Sequence, residues 1–313
     1  MKIIVIVLFS ILLTSQNHFG QTVSIPPNYQ IDEKLSKDLY DIIRELDLDL
    51  NFDVGEDGIE QISLAVIDLT DDQPKLGGVN YDNFIYPASV YKMYVAAEIL
   101  NQISQGNYSL YEPYVAKEPN VVDRSKQIHN DPRPLLQYGD TVTINYLLDL
   151  MITRSDNSAA NCLIDIAQRK NIDSLLHLYN WYGSEVTRKF LKRKFEDPGY
   201  EKIRGTETCA LHAVDFMYKI YSSTLVNNWV SLQMKTLLGR QLDKSKLATG
   251  LPNSAMFYHK TGWFAYWAND VGIIDDGEVK YIIGCFIPLE EELALPKYKV
   301  LSEKIYELIK NRQ

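Results

Sequence analysis

The chain has little cysteine, little histidine and no block of basic residues. Its three cysteines, Cys162, Cys209 and Cys285, sit among apolar neighbours and lack metal-site spacing. An odd number excludes a fully paired disulfide framework within one chain, so buried free thiols are expected. The five histidines, His18, His129, His177, His212 and His259, are scattered and add no zinc pattern. Neither a metal nor a cofactor is therefore expected. A net charge of −9 without a basic cluster argues against nucleic acid as a partner. Internal repeats and low-complexity stretches are also missing.

Long hydrophobic runs are absent as well, with one exception. Ile3 to Leu13 is apolar except for Ser10, and it is too short to span a bilayer. With Lys2 before it and Thr14-Ser15-Gln16-Asn17 after it, the stretch reads as a secretory signal peptide over residues 1–20, cut near Gly20 and Gln21. No cysteine stands near the cut to carry a lipid. The expectation is a secreted or periplasmic, monomeric protein with no membrane anchor after processing. The remainder, about 290 residues, is long enough to bury a large core.

Hydrophobic periodicity orders that remainder. Ile31, Leu35, Leu39, Ile42, Ile43 and Leu46 recur at helical spacing. An acidic turn over 51–58 precedes a β-rich run around Ile62, Leu64 and Val66. Asp71-Asp72-Gln73-Pro74 then reads as a turn before a second strand over 78–85. From Val90 to about Gly239 the pattern is mostly helical, with Thr143 a plausible N-cap. Helices are predicted over 90–103, 172–181, 206–221 and 227–238, and on either side of residues 155–157. Residues 108–139, with Pro113, Pro119, Pro132 and Pro134, read as an irregular segment, as do residues 183–205. Strands return over 258–274 and 279–287, joined by Asp275-Asp276-Gly277, a hairpin signal, and a helix over 297–310 closes the chain. The predicted fold is α/β of the α+β type. One antiparallel sheet is built from both chain ends, about 31–88 and 250–313, with terminal helices on one face. An all-helical insertion, about 89–249, covers the other, and pockets favour such a seam.

Chemistry gathers around Ser89-Val90-Tyr91-Lys92, at the start of the helix over 90–103. A serine and a lysine three apart share one helix face. The hydroxyl is a weak nucleophile until a base reaches it, and a lysine that loses its proton is such a base. Free N–H groups at a helix start favour developing negative charge. A lone Ser-x-x-Lys is an ordinary exposed helix start. Two further strings change that reading: Ser155-Asp156-Asn157, and Lys260-Thr261-Gly262 a further 105 positions on.

Ser-x-x-Lys, Ser-Asp-Asn and Lys-Thr-Gly in this order resemble the signature of class A β-lactamases and penicillin-binding proteins. The surroundings are similar too: Gly139-Asp140-Thr141-Val142-Thr143 before the middle string, Ser158-Ala159-Ala160-Asn161 after it, and Ala268-Asn269-Asp270-Val271-Gly272 after the last. The resemblance covers roughly Ile31 to the C-terminus, and it implies an exported serine hydrolase, a class A-like β-lactamase that opens β-lactam rings through a Ser89 acyl-enzyme. The alternatives are a D-Ala-D-Ala carboxypeptidase or penicillin-binding protein, or a slowly acylating sensor of β-lactams. The partner is then a small β-lactam or a D-Ala-D-Ala peptide.

The resemblance also implies roles. Lys92 is the base or hydrogen-bond partner of Ser89, and Ser155 relays a proton to the leaving nitrogen. Asn157 holds the substrate amide, while Lys260 and Thr261 meet its carboxylate. Gly262 lets its strand run close to the ligand. The backbone N–H groups of Ser89 and Trp263 form the oxyanion hole. Trp263 departs from the small residue usual there. Its bulk, with Phe264, Tyr266 and Trp267, narrows the mouth or packs on the sheet, and packing is the expectation. The family's water-activating glutamate lies in the loop matching 183–205, but Glu-x-x-Leu-Asn is missing there. Glu196, in Phe195-Glu196-Asp197-Pro198, is the best match, with Glu185 and Glu201 weaker.

Overall fold

The computed structural model describes residues 23–123, 131–190 and 205–312. The expected signal peptide lies outside them. In chain order the elements begin with β1 (Gln30–Ile31), α1 (Glu33–Glu45), the hairpin β2 (Phe52–Asp53) and β3 (Ile59–Glu60), then β4 (Ser63–Asp68) and β5 (Lys75–Val79). A 3-10 turn, Ala88–Tyr91, runs into α2 (Lys92–Ser104). Next come β6 (Pro113–Val115), β7 (Thr141–Thr143), α3 (Ile144–Thr153), α4 (Asn157–Ala167), α5 (Arg169–Leu178), α6 (Ala210–Tyr221) and α7 (Asn228–Leu238). The chain closes with β8 (Met256–Phe264), β9 (Trp267–Asp275), β10 (Lys280–Ile287) and α8 (Glu291–Lys310).

Six strands form the main sheet in the order β1-β5-β4-β10-β9-β8. All pairs are antiparallel except β1 with β5. The sheet is covered on both faces, which is why β4 (Ser-Leu-Ala-Val-Ile-Asp) is buried at every position. Leu64 and Val66 point to α1 and α8, where they join Leu35, Leu39, Ile43, Tyr298, Leu301 and Ile305. Ala65 and Ile67 point the other way, into the core shared with the helical block. The predicted arrangement, a sheet from both chain ends between terminal helices and a helical insertion, is the observed fold.

Side-chain caps fix several helix starts. Asp32 accepts from Leu35 N–H at the start of α1, Thr143 from Tyr146 N–H at α3, and Asn227 from Val230 N–H at α7. Other expectations need correction. The second strand is 75–79, not 78–85: Asn80 turns to φ +47° and ends it. Within it, a Cβ on Gly77 would sit 2.6 Å from Leu35 Cγ, so glycine lets α1 pack close. Residues 108–139 hold β6, which pairs with β7. The sixth helix begins at Ala210 rather than Thr206, because Thr208 is drawn into a bridge with Ile85. The run over 258–274 is two strands joined by a tight turn at Ala265 and Tyr266, where Ala265 takes φ +45° without any glycine to signal it. The closing helix starts at Glu291, before Pro296, whose ring costs one backbone hydrogen bond near the helix start.

The chain end is tied back to its beginning. Arg312 Nε donates to Asp68 Oδ2 at 2.8 Å, and its guanidinium also pairs with Asp32. Burial alone would raise the Asp32 carboxyl, but the Leu35 N–H and Arg312 outweigh it and hold it below its ordinary 3.8. A depressed carboxyl contributes stability that is present above the unfolded value and is lost as pH falls through the folded one. In Asp32→Asn the cap survives and only the charge is lost. Urea unfolding near neutral pH should find the variant weaker by about 1 kcal/mol. That gap should close as the pH falls to about 2. A gap independent of pH would contradict the clasp.

Candidate active site

Three elements meet at the seam between sheet and helical block. The first is the 3-10 turn that carries Ser89. Its entry is tight: Ala88 sits at φ +46°, and Val90 N–H donates to Pro87 O at 3.1 Å. Strand β8 lies directly against it. A Cβ on Gly262 would stand 2.6 Å from Pro87 O, 2.8 Å from Ser89 N and 3.0 Å from Val90 N. All three are backbone atoms, so none can swing away, and only glycine permits this approach. Asn269 of β9 donates to Tyr86 O at 3.1 Å and fixes the same turn from the next strand.

The second element is the break between α3 and α4. Ser155 takes φ +59°, a left-handed conformation that non-glycine residues rarely adopt. The turn is held from both sides. Asp156 caps α4 by accepting from Ala159 N–H at 2.7 Å, and its other oxygen accepts from Arg154 Nη2 at 2.9 Å. Arg154 is buried and also donates to the carbonyls of Arg133 and Pro134, both at 2.9 Å. The middle residue of the Ser-Asp-Asn string is thus structural, and its neighbours are aimed into the cleft.

The third element supplies charge. Lys92 and Lys260 are both fully buried. Lys92 Nζ donates to Ser155 O at 2.7 Å, Ser155 Oγ at 3.1 Å and Asn157 Oδ1 at 2.8 Å. Lys260 Nζ donates to the same Ser155 Oγ at 3.0 Å and to Thr261 O at 2.7 Å. One hydroxyl therefore lies between two ammonium groups no more than about 6 Å apart. At that separation two positive charges repel by on the order of 3 kcal/mol at an effective dielectric of about 20. Thr261 follows on β8 and helps to hold the Asp243 carboxyl. Burial pushes that carboxyl up, yet Lys246 above all, with Ser245 and Thr261, keeps it well below the usual range. His259, two residues before Thr261, is fully buried; burial pushes its pKa down, although its Nδ1 lies 2.9 Å from Asp270 Oδ1.

The structure thus brings Lys92, Ser155, Asn157, Lys260 and Thr261 into one cleft beside the Ser89 turn, with Gly262 as the contact between β8 and that turn. The aromatic run after Gly262 is split. Trp267 is buried against Tyr86, with ring centroids 5.3 Å apart. Trp263 and Phe264 are each 58% exposed, which corrects the expectation that the whole run packs on the sheet. Glu196 and Glu201 lie outside the described residues. Glu185 is paired in a bridge with Glu207.

Two site residues carry no readable motif. Asp123 accepts from Asn157 N–H at 2.6 Å and from Asn157 Nδ2 at 3.0 Å, which fixes the orientation of that amide. Its own N–H, with that of Val122, donates to Ser158 Oγ. The only sequence hint is the length of the segment 108–139. Phe190 is the other: Lys92 Nζ lies 4.3 Å from its ring centroid.

The sequence model of a family described as "Beta-lactamase enzyme family" matches residues 45–307. Solved structures share the fold. One titled as the structure of PBP-A superimposes with a TM-score of 0.74 at 17% identity, covering 92% of this chain and 100% of that one. A variant of PBP-A, described as an acyl-enzyme complex with penicillin G, gives 0.73 at 16% identity over 92% and 100%. An ancestral class A beta-lactamase gives 0.70 at 18% identity over 88% and 100%. No curated protein matches the sequence.

The close approach at Gly262 yields a test. Gly262→Ala should push β8 off the Ser89 turn and lower thermal stability by about 1–3 kcal/mol. Reactivity of Ser89 toward an activated acyl donor should fall by about 10²-fold or more, since a misplacement of about 1 Å suffices for that. An unchanged melting temperature with unchanged reactivity would show that the contact is slack.

Proposed function

We propose that this chain, which belongs to the beta-lactamase enzyme family, acts through an acyl-enzyme on Ser89, with a β-lactam or a D-Ala-D-Ala peptide as acyl donor. The observation that carries this reading is the convergence of two buried lysines on Ser155 Oγ beside the Ser89 turn. A solvated pair of lysines would simply stay charged. Between two buried lysines that share one hydroxyl, loss of one proton relieves the repulsion. A neutral Lys92, one helical turn from Ser89, is then a base.

Acylation starts at the hydroxyl. Ser89 Oγ bonds to the carbonyl carbon and its proton passes to Lys92. The carbonyl oxygen becomes an oxyanion held by the backbone N–H groups of Ser89 and Trp263, a contribution on the order of 3 kcal/mol per donor. The carbon–nitrogen bond breaks, and the nitrogen takes the Ser155 proton. That proton is replaced from Lys92, which has taken the Ser89 proton and donates to Ser155 Oγ. Asn157 meets the amide of the acyl side chain while Asp123 holds its orientation. Lys260 and Thr261 receive the substrate carboxylate. The penicillin G acyl-enzyme of the PBP-A variant supports a β-lactam as the acyl donor. The apolar run 3–13 supports action outside the cytoplasmic membrane. Among the described residues no helix is long and apolar enough to cross a membrane.

Mass spectrometry after incubation with a penicillin should place one adduct on the peptide that contains Ser89. Ser89→Ala should give none. Lys92→Ala should slow adduct formation by about 10²- to 10⁴-fold, the usual span for a proton-transfer residue. An adduct that persists in Ser89→Ala would remove the proposed nucleophile.

A further inference from the structure

Helices α5 and α6 and the segment before β1 border a cavity of about 240 Å³, whose lining shares no residue with the Ser89 cleft. Leu178, Tyr179, Trp181 and Leu211 give it apolar walls, and Pro26 and Pro27 lie along one side. His212 and Lys219 stand on one face of α6 and bring polar groups to it. Asp215 lies between them and is already met. Tyr29 donates to its Oδ1, Trp181 Nε1 donates to its Oδ2 at 2.8 Å, and the Lys219 ammonium lies 3.8 Å from that Oδ2.

The fold decides which nitrogen of His212 carries the proton. Burial pushes its pKa down to about 4, so the ring is neutral near neutral pH. Nδ1 lies 2.9 Å from Ser184 Oγ, Ser184 Oγ 2.8 Å from Thr208 Oγ1, and Thr208 Oγ1 2.9 Å from the Tyr94 hydroxyl. All four side chains are buried. If Tyr94 donates to Thr208, Thr208 to Ser184 and Ser184 to Nδ1, every hydroxyl proton is placed. The reverse direction leaves the Tyr94 proton without an acceptor among the described residues, and an unmet buried donor is costly. The chain therefore puts the ring proton on Nε2. That nitrogen has no partner among the described residues, and Ser184, on the opposite edge of the ring, is not part of the cavity wall. The Nε2–H thus serves the cavity.

Long side chains on a helix lean toward its N-terminus, so Lys219 reaches back over Asp215 toward His212. A neutral donor and an ammonium amid apolar walls match a negatively charged acceptor on an apolar body. A cation finds no such match, because Asp215 already has three donors. At about 30 Å³ per non-hydrogen atom, as for water, the volume admits roughly eight. We propose that this cavity binds a small carboxylic acid, with its carboxylate on His212 Nε2–H beside the Lys219 ammonium and its apolar body against Trp181.

Nitrogen NMR of the imidazoles in the purified protein should show His212 protonated on Nε2 alone. Titration with benzoate should shift the His212 nitrogen signals and the Trp181 indole signal, with a Kd of about 1 mM or tighter, ordinary for so small a ligand. Benzylamine, of similar size and opposite charge, should shift neither. His212→Phe and Lys219→Met should each weaken benzoate by about 10-fold or more, the size of a hydrogen bond to a charged group. His212→Phe also removes the last acceptor of the hydroxyl chain. Should it fail to fold, Lys219→Met and the wild-type spectra still decide. A proton on Nδ1, no shift with benzoate, an equal response to benzylamine, or unchanged benzoate affinity in Lys219→Met overturns the proposal. None of these readouts depends on acylation of Ser89.

Discussion

Two buried ammonium groups on one hydroxyl are the constraint around which this molecule is organised. Lys92 comes from α2, Lys260 from β8 and Ser155 from the break between α3 and α4, so the contact joins the sheet to the helical block. An isolated buried charge is expensive unless its hydrogen bonds are met. Lys92 therefore sits among Ser155 O, Ser155 Oγ and Asn157 Oδ1, and Lys260 reaches Thr261 O. The remaining features serve to hold these atoms in place: a left-handed Ser155, a capped and salt-bridged Asp156, and a glycine where β8 meets the Ser89 turn.

Much of this is legible in the sequence because its causes are local. The three strings stand in cleft positions, and the Ser-Asp-Asn string interrupts a helix where its periodicity suggests a break. Thr143 caps a helix because a side-chain oxygen reaches an N–H three residues on, an effect that needs no tertiary context. What stays hidden is nonlocal or unsignalled. Asp123 has no pattern of its own, and its meaning comes from an Asn157 placed beside it by folding. The turn at Ala265 lacks the glycine or asparagine that marks a left-handed position, because the pairing of β8 with β9 imposes it. The start of α8 is obscured because Pro296 reads as a boundary, whereas near a helix start it costs one bond. Strand alternation would pack Trp263 or Phe264 only if the sheet continued over them; both stand at its open end.

Phe190 belongs to the same frame: its ring centroid lies 4.3 Å from Lys92 Nζ. Buried Asn161 spends its side chain on the Phe190 backbone, so the ring belongs to the frame of the site.

The central claim is that Lys260 makes Lys92 a base by repulsion across Ser155. The pH dependence of adduct formation at Ser89, in wild type and in Lys260→Ala, tests it most directly. Acylation should rise with pH as the lysine pair loses one proton. Removing the neighbouring charge should let Lys92 hold its proton longer, so the rising limb should move to higher pH. A slower reaction whose limb stays in place would mean that Lys260 only binds substrate, and that coupling between the two lysines does not create the base.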